Sequence, residues 1–124
     1  MLAWGTAIIA LAFLGVLAAS VAIVSRDATL DTAVGRHLWA GALANASLVI
    51  VALAVVLGPL RRGEAWAFWV ALLPVAIYAV PILVIDATHV PRGTLVATLA
   101  PQVGGLAVAT VGFALTAWAL WGEN

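Results

Sequence analysis

Asp86 and His89 lie three residues apart, a spacing that puts a carboxylate and an imidazole on one helical face, where the acid can orient the ring for proton transfer. If the chain is an enzyme, these two are its catalytic residues, and the reaction is an isomerisation or cyclisation of a lipophilic substrate. Tyr78 precedes Asp86 by eight residues, which turns it about 80° around a helix over roughly 12 Å; one extended substrate would touch both. Thr94, Thr98 and Gln102 recur every four residues, as do His37, Gly41 and Asn45, so each set forms a polar stripe on one helix face. The candidate ligand-binding set is therefore His37, Asn45, Tyr78, Thr98 and Gln102. A plainer reading stands beside it. Asn45 and Gln102 would tie helices together, at about 0.6 kcal/mol each, and Asp86 and His89 would end a helix at the membrane rim.

Much chemistry is excluded by residue type. Without Cys there is no disulfide, thiolate nucleophile or iron–sulfur ligation, and without Lys there is no Schiff base. His37 and His89 lack companions at ligand spacing, so neither a metal nor any cofactor is expected. The net charge is zero and the five basic residues are scattered arginines, which leaves no basic patch for nucleic acid. No phosphate loop or nucleophile elbow is present.

The elements that must position these side chains follow from composition. Hydrophobic residues make up 66% of the chain and charged residues 8%, against about a quarter charged in soluble domains. A lipid bilayer is the expected surrounding. Four apolar stretches reach the roughly 20 residues needed to cross it: 2–24, 33–60, 65–87 and 95–121. They lack the alternating polarity of barrel strands, so the expected fold is all-α, a single transmembrane domain over residues 1–124. Short connections make it an antiparallel up-down-up-down four-helix bundle. The first stretch reads as a span rather than a cleaved leader, because no positive residue follows Met1 and the apolar run is long.

Local signals refine this plan. Asp31 or Thr32 is placed to cap the second helix, and Gly58-Pro59 and His89 to Thr94 mark turns. Pro74, Pro81 and Pro101 each remove an N–H and free the carbonyls of Val70, Ile77 and Ala97. Rows such as Gly15 with Ala19, and Gly104 with Val108 and Gly112, favour close helix contact. Arg26-Asp27-Ala28-Thr29 echoes Ile85-Asp86-Ala87-Thr88, each followed by a helix with one deep amide, as a duplicated two-helix unit would give. Trp4, Trp66, Trp69, Trp118 and Trp121 gather on the side of the termini, at headgroup level. The Arg61-Arg62 turn shares that side and places the termini in the cytoplasm, although Arg26, Arg36 and Arg92 outnumber that pair opposite.

The stretch Arg61-Arg62-Gly63-Glu64-Ala65-Trp66-Ala67-Phe68-Trp69, with the four-span layout, resembles small bacterial four-helix membrane proteins of the broad DoxX-like type. The resemblance covers those residues and the four-span layout. It implies a small bundle in the bacterial inner membrane and carries no catalytic motif. Small multidrug exporters are similar in length but rely on an acid inside helix one, where Leu2 to Val24 has none. Sterol-isomerase-like EXPERA bundles also cross four times, with only Asp86 as a counterpart to their acids. Gly35-Arg36-His37-Leu38 is similar to the haem-anchor subunits of succinate dehydrogenase, which cross three times.

Three functional expectations stay open. The bundle binds an apolar small molecule or lipid, or serves as accessory subunit of a larger membrane complex. Alternatively, a homodimer moves a small solute, with Asp86 coupling to a proton or cation. As a third reading, Asp86 and His89 transfer protons in a membrane-embedded enzyme.

Overall fold

The computed structural model describes residues 1–122. Helix one runs Leu2–Asp27, helix two Ala33–Leu57, helix three Ala65–His89 and helix four Leu95–Trp121, with no strand among the described residues. All four are long and apolar enough to cross a membrane. Their outward faces confirm the solvent: Leu11, Ile77 and Val96 are 66%, 70% and 79% exposed. Water would penalise such a surface, whereas lipid tails match it. The architecture is that of a multi-pass membrane protein, an antiparallel four-helix bundle.

The connections are built by side chains that satisfy free backbone groups. Thr32 takes an extended conformation and its hydroxyl oxygen accepts from the Gly35 amide at 2.9 Å, which caps helix two. Gly35 lies directly on the Thr29 backbone, where an added Cβ would collide with the Thr29 carbonyl. Arg36 donates to the Leu30 carbonyl at 2.9 Å and the Trp39 indole to that of Ala28 at 3.3 Å. The first connection is therefore stitched onto helix two. The second turns through Leu60–Arg62 and then Gly63, whose φ of 84° is left-handed and suits glycine.

Glu64 anchors that second turn. One carboxylate oxygen accepts from Arg62 at 2.9 and 3.1 Å, and the other accepts from the Trp66 indole at 2.8 Å. The Arg62 hydrogen bonds, followed by that of Trp66, hold the Glu64 carboxyl below its ordinary 4.5 against a small opposing effect of desolvation. A depressed carboxylate contributes above its unfolded value and loses that contribution as pH falls through the folded one. The Trp66 indole N–H resonance should thus shift on acidification with a midpoint below 4.5. In Arg62→Ala the change should come at higher pH; an unaltered titration would show that Arg62 does not hold Glu64.

Helix three is not regular. Between Pro74 and Pro81, residues Val75–Ala79 form a wide π-turn in which the Val80 amide bonds to the Val75 carbonyl, five residues back. Proline at position 81 has no N–H to offer the Ile77 carbonyl, and the ladder widens there instead of breaking. Helix four keeps Pro101 inside a continuous helix.

The helices form a ring in chain order: one packs on two, two on three, three on four, and four back on one. Helices one and four meet most closely, at Gly5 and Gly112. The core gathers at the end of the bundle that holds the termini, from Thr6, Ile9, Phe13, Val49, Val56, Leu60, Phe68, Phe113 and Thr116. Phe68 stands edge-on to both Phe113 and Trp121, with centroids 5.4 and 5.1 Å away. In contrast, Val80–His89 contributes no buried residue. The bundle is tight at one end and open at the other.

Candidate functional site

That uneven packing leaves an open cavity of about 360 Å3 between helices one, two and three, a cleft rather than an enclosed pocket, with Ile23, Leu38 and Tyr78 of its lining 52%, 50% and 41% exposed. Its apolar wall comes from Ile23, Val24, Leu38 and Ala42, and its polar groups are Ser20, His37, Asn45 and Tyr78. Gly41 supplies room: no heavy atom lies within 4 Å of where its Cβ would be. A shallower opening of about 390 Å3 between Ala33, Val34 and Leu38 shares His37, which stands at the rim. Asn45 lies at the middle of helix two and is only 7% exposed. Its amide donates to the Ser20 hydroxyl oxygen at 3.0 Å, so helix two is tied to helix one at the polar end of the cavity. Tyr78 enters from the π-turn of helix three, and neither its hydroxyl nor the His37 ring has a hydrogen-bond partner among the described residues.

A second polar pair lies elsewhere. The Gln102 side-chain amide donates to Asp86 Oδ2 at 2.5 Å and joins helix four to helix three. Gln102 Oε1 is buried and has no partner among the described residues. A carboxylate only accepts, so Asp86 cannot satisfy that oxygen. Each helical hairpin thus carries one amide donating back to an oxygen of the preceding helix: Asn45 to Ser20, Gln102 to Asp86.

The seven site residues expected from sequence are divided by this arrangement. His37, Asn45 and Tyr78 meet at the cavity, while Asp86 and Gln102 form the pair between helices three and four. Thr98 is half-buried one turn before Gln102 and outside the cavity lining. His89 is exposed and turns to its own helix, with Nδ1 3.0 Å from the Ile85 carbonyl and 2.8 Å from the Thr88 hydroxyl. No ion pair joins His89 to Asp86 among the described residues. Ser20 belongs to the cavity but was not in the expected binding set; its signal in the sequence is a hydroxyl inside a span, in the same half of the membrane as Asn45 and Tyr78.

What the cavity can do chemically follows from its lining. It holds hydroxyl, amide and imidazole groups on an apolar wall, and among the described residues no hydrogen bond joins the Ser20 hydroxyl to the His37 ring as a nucleophile–base pair would need. Compared with known proteins, the chain matches no family model, no curated protein and no solved structure.

Proposed function

We propose that the protein binds a lipophilic small molecule in the cavity between helices one, two and three, without catalysing a reaction on it. The observation that carries this reading is the cavity itself: mainly apolar, with a few polar groups on its lining, and of the size at which small-molecule pockets begin. His89 bonds to the Ile85 carbonyl and Asp86 accepts from Gln102, and the lack of an ion pair between them among the described residues speaks against a proton-transfer pair. Gly41 offers a clean test, because a Phe there would fill open space without removing a contact. Native mass spectra in mild detergent should show a bound lipophile on the parent chain and at least a tenfold loss in Gly41→Phe. Equal occupancy of the two proteins would place the ligand elsewhere and end this reading.

The setting belongs to the same proposal. The DoxX-like resemblance of Arg61 to Trp69 supports a bacterial inner membrane, and the Arg61-Arg62 cluster supports cytoplasmic termini. The chain lacks Cys, so a single Cys at Gly93 or Arg61 reports its side without background. In intact cells an impermeant maleimide should label Gly93→Cys and spare Arg61→Cys; the reverse pattern would invert the topology.

A further inference from the structure

We infer that the occupant of this cavity carries an uncharged polar head, a hydroxyl or a carbonyl, which sits at mid-membrane depth beside Ser20, Asn45 and Tyr78. This deepens the binding reading above and rests on it. The first argument is depth. Asn45 stands halfway between the helix-two ends Ala33 and Leu57, and Tyr78 lies in the central π-turn of helix three. A head that reaches them has left the interface behind. An ion at that depth requires a partner, because burying an unpaired charge costs far more than a hydrogen bond returns.

The second argument is charge. Among the described residues no Arg, Asp or Glu lines the cavity, and the chain has no Lys. The nearest cation in sequence, Arg36, spends its guanidinium on the Leu30 carbonyl outside. Arg26 lies 3.7 Å from Asp27, Arg62 holds Glu64 at the opposite end, and Arg61 and Arg92 are in turns. Asp86 faces Gln102 on helix four. A phosphate or ammonium head would therefore find no counter-ion. His37, the one titratable group besides Tyr78 on the lining, stands at the rim.

The third argument is the hydrogen-bond inventory. Ser20 accepts from Asn45, which leaves its hydroxyl hydrogen to donate, and Tyr78 has its own. Asn45 keeps Oδ1 as an acceptor with no partner among the described residues. Two donors and one acceptor suit a ligand oxygen that accepts and, for an alcohol, also donates. The apolar wall of Ile23, Val24 and Leu38 takes the hydrocarbon body.

Three photoreactive probes with one sixteen-carbon chain test this: a hexadecanol, a hexadecyl phosphate and a hexadecyl trimethylammonium, each with a diazirine near the head. The full-length protein in nanodiscs is labelled and its peptides mapped. The alcohol should label the segments around Ser20 and Tyr78, Gly41→Phe should remove that label, and Tyr78→Phe should weaken it about five- to tenfold, the loss of one hydrogen bond. Tyr78→Phe keeps the ring and the fold, so its effect reports the hydroxyl. Labelling of the same segments by the phosphate or ammonium probe as strongly as by the alcohol would overturn the uncharged head while leaving the binding reading standing. If all three probes label parent and Gly41→Phe alike, the cavity is not a binding site and both readings fall.

Discussion

Gly112→Leu should prevent the bundle from closing, while Gly104→Leu, two turns earlier on the same helix, should leave it folded. A Cβ at Gly112 would lie 2.7 Å from Ile9 Cγ1, 2.9 Å from the Ile9 amide nitrogen and 3.1 Å from the Gly5 carbonyl. On the other side of the contact, a Cβ at Gly5 would lie 2.8 Å from the Thr116 amide nitrogen. Two of these obstacles on Gly112 are backbone atoms, so no rotamer change relieves them. Helices in lipid associate through close packing rather than through exclusion of water, so a forced separation is not compensated by other apolar contact. Gly112→Ala should cost about 1–3 kcal/mol, the usual range for overpacking, and Leu should cost more. Nothing lies within 4 Å of a Cβ built at Gly104, Gly105 or Gly15, and there the change should stay within about 0.5 kcal/mol. Reversible unfolding in one detergent compares the series. If Gly104→Leu and Gly112→Leu lose the same stability, the helix one to helix four contact does not depend on the missing side chain.

Span limits were legible because lipid demands a fixed length of apolar residues and turns demand particular types. Helix four begins at Leu95 and ends at Trp121 as the hydropathy requires. Helix one extends to Asp27, beyond Val24, because charged residues complete a helix at the interface at little cost. Helix two ends at Leu57 instead of residue 60, since Gly58-Pro59 and a short 3-10 turn take over. The polar stripes were legible in part: His37, Asn45 and Tyr78 of the expected binding set share one cavity, whereas Thr98 and Gln102 do not line it.

Direction was not legible. A spacing of three puts Asp86 and His89 on one helical face, but it does not say that the imidazole will bond to its own Ile85 carbonyl. Helical arithmetic across residues 78–86 assumes a regular turn, and the π-turn at Val75–Ala79 breaks that assumption just where Tyr78 leaves for the cavity. Among the glycine rows, Gly104 and Gly112 look alike in sequence. Only the crossing of helices one and four makes Gly112 indispensable and leaves Gly104 open.

The same dependence on partners governs Asp86, where two substitutions at one hydrogen bond should act with opposite sign. Gln102 donates to Asp86 Oδ2 and leaves its own Oε1 buried without a donor among the described residues. An amide at position 86 would repair this. In Asp86→Asn the new N–H₂ can donate to Gln102 Oε1 while the new carbonyl accepts from Gln102 Nε2, a reciprocal pair with no orphaned atom. A buried acceptor without a partner costs about 1–3 kcal/mol, so Asp86→Asn should raise unfolding stability by about 1 kcal/mol or more. It also removes a formal charge from a span, which acts in the same direction. Gln102→Leu does the reverse: it relieves the orphaned oxygen but takes from a half-buried carboxylate the one side-chain donor it holds across to helix four. Hydrogen bonds to charged groups contribute about 1.5–3 kcal/mol, and relief of the orphaned oxygen returns about 1–3 kcal/mol of this, so the net loss should be small, about 0.5 kcal/mol. In the double variant Asp86→Asn with Gln102→Leu the benefit of Asn should vanish, because its amide then has nothing to pair with. Unfolding of all four proteins in the same detergent decides the matter. A destabilised Asp86→Asn would mean that the carboxylate meets a need no amide can meet, and the contact would then have to be read as a charge site rather than as a clasp between helices three and four.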